Sequence, residues 1–377
     1  MTYHPTAEHW DALPPADLGF DPAALAAAIA YHRTHESRWP RDFITGSGRF
    51  IGVDDEPDAL PGVADYVPGV LGAVRPREGP NGLVIRHGRI AAEWGDTRRA
   101  DMSFSIAKSY LAVLAGLAVA RGLIARIDDP VRDGALDDAF ESAQNRTITW
   151  RHLLQQTSEW QGTLWGKPDS IDHNRDVGKS ELGTSEKGRA RMLRPPGTLW
   201  EYNDVRVNRL SLSLLQRFRQ PLADVLRAAV MDPIGASRDW TWEPYANSWI
   251  AIDGRRLPSV PGGSHWGGGL WMSTRDHARL GLLVARGGRW NGREIVPASW
   301  IAEMTRPSAL NPEYGLYWWL NTGGRQVPGA PESGYAARGA GSNVIWIDPD
   351  HDVVVVVRWI DKASAAGFLT RVADSLR

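Results

Sequence analysis

The chain has 377 residues, 42% hydrophobic and 23% charged, with 43 basic against 44 acidic side chains and a formal net charge of −1. This is the composition of a folded protein with ample core for one or two domains, which excludes collagen-like, coiled-coil and disordered chains. The balanced charge supplies no single-sign field for a polyanion, so nucleic acid is not an expected partner, and the absence of cysteine removes disulfides, thiol nucleophiles and cysteine-based metal sites.

The start, Met1-Thr2-Tyr3-His4-Pro5, has neither the basic residues nor the apolar stretch of a secretory signal, so a cytoplasmic location is expected. Asp21 followed by Pro22 predicts a capped helix over 23–36. His32 and His35 on that helix read as a solvated face rather than as metal ligands. Residues 41–80, rich in Gly, Pro and Asp, read as irregular. The segment 82–94 predicts a hairpin around His87-Gly88. Residues 105–121 are apolar almost all round, the mark of a buried central helix. Their longest apolar run, 111–120, is about half a membrane span, so no membrane crossing is expected.

Thr149 is placed to cap a helix over 150–156. The polar, Gly/Pro-rich stretch 158–197 predicts a long loop that controls substrate choice, and it holds three of only five lysines in the chain (108, 167, 179, 187, 362). Asn203 or Asp204 caps a helix with Val205, Leu210, Leu214 and Phe218 inward. Further helices are predicted over 221–231 and 274–286. A second hairpin spans 343–347 and 353–359, where five consecutive valines argue for a strand buried on both faces. A last helix covers 363–376. Strands near both ends with helices between them predict an α+β fold. Its antiparallel sheet domain is built from 1–110 and 230–377, with a mostly helical domain inserted over 111–229.

The chemistry search is mostly negative. G-x-S-x-G, H-E-x-x-H and Walker A sequences are missing, and Gly339-x-Gly341 lacks a third glycine. No metal or cofactor is therefore expected. The positive signal is Ser105-Ile106-Ala107-Lys108, the one S-x-x-K in the chain. Ser105 opens the apolar helix, where free N–H groups and the helix dipole favour developing negative charge. Lys108 lies one turn on, on the same face. A lysine within an apolar helix is desolvated toward a usable base, and a serine beside a base is the minimal activated nucleophile. The bland alternative is a helix start whose lysine snorkels to solvent.

Three ordered motifs extend this signal. Ser105-x-x-Lys108 is followed by Leu153-Leu154-Gln155-Gln156-Thr157-Ser158. Next comes Pro196-Gly197-Thr198-Leu199-Trp200-Glu201-Tyr202, with Tyr202-Asn203-Asp204 at its end. Last are Gly267-Gly268-Gly269-Leu270 with Ser273-Thr274-Arg275-Asp276, and Ala337-Arg338-Gly339 near the C-terminus. Over roughly residues 80–360 the chain resembles the serine β-lactamase and penicillin-binding-protein superfamily. Within it, the chain is most similar to class C β-lactamase-like hydrolases such as family VIII carboxylesterases and 6-aminohexanoate-dimer hydrolases.

The resemblance implies a β-lactamase/transpeptidase-like fold and catalytic roles for Ser105, Lys108, Tyr202 and Ala340. Ser105 would be the nucleophile. Tyr202 would share a proton with Lys108 and Ser105 and pass it to the leaving group. The N–H groups of Ser105 and Ala340 would form the oxyanion hole. Two departures stand out. Asp204 replaces the Asn of the family's Tyr-x-Asn, and Arg338 follows Ala337 where the family carries Lys-Thr-Gly. Loss of that lysine argues against β-lactams and D-Ala peptides. Tyr245-Ala246-Asn247 spells the second motif literally but lacks its lead-in, and reads as structural. Trp160, Trp165, Trp200 and Trp266 are candidates to wall an apolar acyl pocket. His265 reads as a hydrogen-bonded structural residue. The expectation is a serine hydrolase acting on a small ester or linear amide. Its alternatives are a β-lactamase or D-Ala-peptidase, and a non-catalytic ligand-binding protein of the same fold. Oligomeric state is left open.

Overall fold

A six-stranded antiparallel sheet draws its strands from both ends of the chain. The computed structural model describes residues 3–175, 177 and 187–377, so Lys179, counted above, lies outside the described residues. The strands are β1 (Asn81–Arg86), β2 (Arg89–Trp94), β3 (Trp319–Leu320), β4 (Tyr335–Gly339), β5 (Asn343–Asp348) and β6 (Val353–Arg358). Their spatial order is β3-β4-β5-β6-β1-β2. The β1–β2 turn forms where expected: His87 and Gly88 both take positive φ, 51° and 79°, which suits a two-residue turn to the twist of its strands.

The valine run of β6 lies at the centre of the sheet and is buried on both faces. Val354 and Val356 enter the main core, while Val353, Val355 and Val357 pack beneath the terminal helices. This period-2 split is what an extended strand imposes on consecutive side chains.

Five helices matter for the site: α1 (Pro22–Thr34), α2 (Ile106–Ala120), α3 (Asp204–Phe218), α4 (Thr274–Ala285) and α5 (Lys362–Asp374). The Asp21 carboxylate accepts from the N–H groups of Ala23 and Ala24, capping α1. Asn203, not Asp204, caps α3, accepting from the N–H groups of Val205 and Arg206. Asp204 is thereby left as the first helical residue with its carboxylate uncommitted to the backbone. The predicted 221–231 helix forms as Leu222–Leu226, followed by a widened turn over Arg227–Met231. Residues 41–80 carry no regular helix or strand, as their composition implies. No helix among the described residues is long and apolar enough to cross a membrane.

The reading of His32 as solvated is corrected. It is fully buried between α1 and the sheet, with Nδ1 accepting from the Trp94 indole at 2.9 Å and Nε2 against the Arg358 carbonyl at 3.1 Å. The apolar stripe of α1 turns it inward, and the tryptophan supplies a partner that helical periodicity does not reveal.

Arg358, at the end of β6, fastens the sheet to the segment leading into α2. Its guanidinium donates to Asn343 Oδ1 at 2.7 Å, to the Met272 carbonyl at 3.1 Å and to the Met102 carbonyl at 2.8 Å. Met102 and Met272 lie on paired strands, Asp101–Met102 and Gly269–Met272. Ser103 continues from the first of these, so a buried guanidinium that donates from all three of its nitrogens holds the approach to Ser105.

His32 makes stability depend on pH. Burial is the chief cause that brings its imidazole down from 6.5 to about 4. The unfolded chain therefore binds the proton more readily, and stability present above pH 6.5 is lost as pH falls from 6.5 toward 4. The shift corresponds to roughly 3 kcal/mol. His32→Gln should be less stable than the parent at pH 7 yet lose less on acidification, as read by urea midpoints across that range. Equal acid slopes in the two proteins would remove His32 from the account.

Candidate active site

The nucleophile candidate stands on a strained turn. Phe104 takes φ of +48°, a left-handed conformation that a bulky side chain adopts only when its surroundings enforce it. Edge-to-face contacts from Trp39 at 5.3 Å, Phe43 at 5.6 Å and Trp359 at 6.3 Å supply that enforcement. The next residue, Ser105, is the N-cap of α2, and its side chain caps none of the helix N–H groups. Its hydroxyl accepts from Lys108 Nζ at 2.8 Å. Lys108 is 1% exposed, so the snorkelling alternative does not hold.

Lys108 Nζ also lies 2.5 Å from Asp204 Oδ1 and 4.5 Å from the centroid of the Tyr202 ring. Tyr202 is buried, precedes α3, and stacks on Trp319 with ring centroids 6.0 Å apart. Among the described residues, no hydrogen bond joins its hydroxyl to Ser105 or Lys108; Asp204 takes the ammonium instead. Such contacts are often loose without substrate.

Asp204 is the hub of a wider charge cluster. Its Oδ2 meets Arg175 Nη1 at 2.6 Å and His265 Nδ1 at 3.9 Å, and its N–H donates to Asp172 Oδ2 at 2.8 Å. Burial alone would raise the Asp204 carboxyl. The charges of Arg175, Lys108 and His265 outweigh it and hold the group well below the usual carboxylate range. Gly263 makes room for this hub, because a Cβ there would come within 2.8 Å of the carboxylate.

The fourth predicted residue, Ala340, follows the last residue of β4. A Cβ on Gly339 would meet the Ser103 carbonyl oxygen at 2.3 Å, so the strand end lies directly against the Ser105 segment. The N–H groups of Ser105 and Ala340 have no backbone partner among the described residues. Ser105, Tyr202, Asp204 and Ala340 line one cavity of about 1520 Å³. Arg338 stands opposite Val344, which packs beneath the terminal helices. It therefore leaves β4 on the face opposite Gly339.

Of the four tryptophans named from sequence, Trp200 lines the cavity, and it is joined there by Trp39 and Trp319. Trp160 and Trp266 are core residues. Trp165 packs on Tyr245, away from the cavity. Tyr245 is buried outside the cavity, as a structural aromatic would be. His265 is hydrogen-bonded to Glu56 at 3.1 Å and also reaches the cavity wall. Sequence reasoning missed Arg175, Phe104 and Trp319. The one available hint of Arg175 was the acidic third position of the second motif, which calls for a counter-charge.

The stretch 158–197 is more structured in its described part than a free loop. It holds a two-residue hairpin, Thr163–Leu164 with Lys167–Pro168, and a helical turn at Asp169–Asp172. Buried ion pairs hold it down. Lys167 meets Glu56 at 2.7 Å, with both side chains 1% exposed, and Arg191 bridges Glu159 at 2.6 Å and Glu201 at 2.5 Å. Burial opposes the Glu56 charge, but His265, Lys167 and Lys187 prevail and bring its carboxyl down to about 2.

A second serine–base pair lies nearby. Ser103 Oγ is 2.8 Å from His277 Nε2, and Tyr110 is 2.8 Å from His277 Nδ1. Ser103 and His277 are fully buried, so this group braces the base of α2 and has no access for substrate.

The sequence matches the Beta-lactamase family model over residues 83–365. No curated protein matches it. Solved structures share the fold at low identity. A family VIII carboxylesterase superposes with TM-score 0.59 at 14% identity, covering 98% of each chain. EstCE1, a hydrolase with promiscuous acyltransferase activity, gives 0.57 at 15%, covering 94% of this chain and 98% of its own. A protein from Bacillus anthracis, provisionally described as a 6-aminohexanoate-dimer hydrolase, gives 0.52 at 16%, covering 88% of each.

The contact between Gly339 and Ser103 is testable. Gly339→Ala should push the Ser105 segment off position and lower the serine's reactivity toward an acylating probe by about 10²-fold, with the circular dichroism spectrum retained. Unchanged reactivity would show that this close approach does not position the serine. With its antiparallel sheet, its S-x-x-K helix start and a family match over most of its length, the chain belongs to the β-lactamase family of serine hydrolase folds.

Proposed function

We propose that the protein is a serine hydrolase that cleaves small esters or linear amides, esters faster, through an acyl-enzyme on Ser105. The observation that carries this reading is the 2.8 Å contact between the Nζ of a buried Lys108 and the hydroxyl of a cavity-facing serine at a helix N-terminus. The names of the carboxylesterase and amide-hydrolase neighbours support the substrate class.

In this scheme Lys108, in its neutral form and with Tyr202 beside it, takes the Ser105 proton as Oγ attacks the carbonyl carbon. The carbonyl electron pair moves to oxygen, which the N–H groups of Ser105 and Ala340 receive. A donor of this kind is worth about 10²–10³ in rate. The tetrahedral intermediate collapses, the carbon–oxygen or carbon–nitrogen bond breaks, and the leaving group takes a proton by way of Tyr202. Water then repeats the sequence on the acyl-enzyme, releasing the acid and restoring Ser105. Esters are favoured because an alkoxide leaves more readily than an amide nitrogen. Trp39, Trp200 and Trp319 give the cavity apolar surface suited to an acyl chain.

Initial rates on short-chain nitrophenyl esters, linear amides and a chromogenic β-lactam test the reading. Ester turnover should lead, and Ser105→Ala should abolish it by at least about 10³-fold. Tyr202→Phe should lower kcat by about 10²-fold or more while leaving KM nearly unchanged. Turnover that survives Ser105→Ala, or a β-lactam that outruns every ester, would replace this reading with another.

A further inference from the structure

We propose that Arg175 is a positioning residue for the base: by neutralising Asp204, it lets a motif that carries aspartate in place of asparagine still work with a neutral Lys108. This inference rests on the reading of Lys108 as the base for Ser105.

The reasoning starts from charge. An asparagine at position 204 would present Lys108 with a neutral dipole. Asp204 presents a full negative charge at 2.5 Å, in a site where neither side chain is more than 2% exposed. An opposite charge this close moves the protonation equilibrium of its neighbour by about 1–3 pH units. Left alone, Asp204 would hold the proton on Lys108 and so disable the base.

Arg175 meets the other oxygen of that carboxylate. Its Nη1 lies 2.6 Å from Oδ2, and its guanidinium carbon lies 5.3 Å from the centroid of the Tyr202 ring. One carboxylate thus lies between two cations, and Asp204 with Arg175 forms a neutral unit facing Lys108. The surrounding groups are themselves paired. Asp172 lies 3.6 Å from Arg175, and Lys187 lies 3.9 Å from Asp172 and 3.2 Å from Asp55. His265, on the 262–268 segment, faces Asp204 at 3.9 Å and Glu56 at 3.1 Å, and Glu56 is held by Lys167. Arg175 is delivered by the 158–197 stretch, so that stretch completes the electrostatics of the base as well as forming part of the cavity wall.

The test is the pH dependence of Ser105 labelling by a fluorophosphonate, read as the second-order rate constant and needing no known substrate. In the parent the rate rises with pH because only a neutral base can take the Ser105 proton. Arg175→Ala should move this rise up by about 1–3 units, and Asp204→Asn, which removes the carboxylate between Arg175 and Lys108, should move it down. The double variant Arg175→Ala/Asp204→Asn should return it close to the parent, and Arg175→Lys should retain it. A structural role alone would lower the rate at every pH, leave the midpoint in place and make the double variant worse; that result overturns the inference. Should Arg175→Ala fail to fold, the double variant must titrate above Asp204→Asn, and equal midpoints overturn the inference. No labelling of the parent would instead refute the hydrolase reading itself.

Discussion

A lysine ammonium 1% exposed to solvent and bound to one carboxylate is the constraint around which this structure is arranged. A buried charge costs several kcal/mol of desolvation, and its partner recovers this only with close geometry and further hydrogen bonds. Lys108 has both in Asp204 and Ser105. Asp204 in turn needs Arg175, Arg175 also faces Asp172, and the Asp172 carboxylate is tied to the start of α3 through the Asp204 N–H. The chain of requirements runs outward from one side chain until it reaches the long connection that precedes the Tyr202 motif.

That connection would be a poor candidate for order by composition alone. Its described residues are ordered by pairing charge in places closed to water. Glu159 lies in the core with two arginines on it, Arg191 and Arg206, and burial is overcome to bring its carboxyl down to about 2. Asn203 shows the economy of the arrangement. Its side-chain oxygen caps α3 while its amide donates to the Asp169 carbonyl at 2.8 Å, tying the connection to the helix that carries Asp204. The opposite wall is built from backbone. The end of β4 approaches Ser103 so closely that only glycine fits at 339. Arg358 ties the sheet to the strand that precedes Ser105. Nucleophile and base share the start of α2, and the second candidate oxyanion donor follows β4; the two elements are locked to a common frame, which keeps their reorganisation during a reaction small.

Much of this was legible in the sequence, for definite reasons. The all-apolar face pattern of α2, the valine run of β6 and the His87-Gly88 turn are local signals that the fold obeys. Ser105, Lys108, Tyr202 and Ala340 could be named because they sit in ordered motifs; Ser105, Tyr202 and Ala340 line one cavity, with Lys108 buried behind Ser105. What could not be read depends on contacts distant in sequence. His32 is on a helix whose pattern does not reveal the tryptophan that partners it. Trp319 was indistinguishable from the other 17 tryptophans. The left-handed Phe104 is set by aromatic rings from residues 39, 43 and 359. Arg175 had no motif, and only the charge that it answers, Asp204, was visible.

The central claim is that Ser105, and no other serine, is activated. The most direct measurement is intact mass after fluorophosphonate treatment, followed by tryptic mapping of the adduct. The relevant peptide, 100–108, also carries Ser103, which has its own buried histidine partner, so fragment ions must separate the two. The account predicts a single adduct, on Ser105. No adduct on the folded protein, or an adduct on Ser103 or elsewhere, would contradict it.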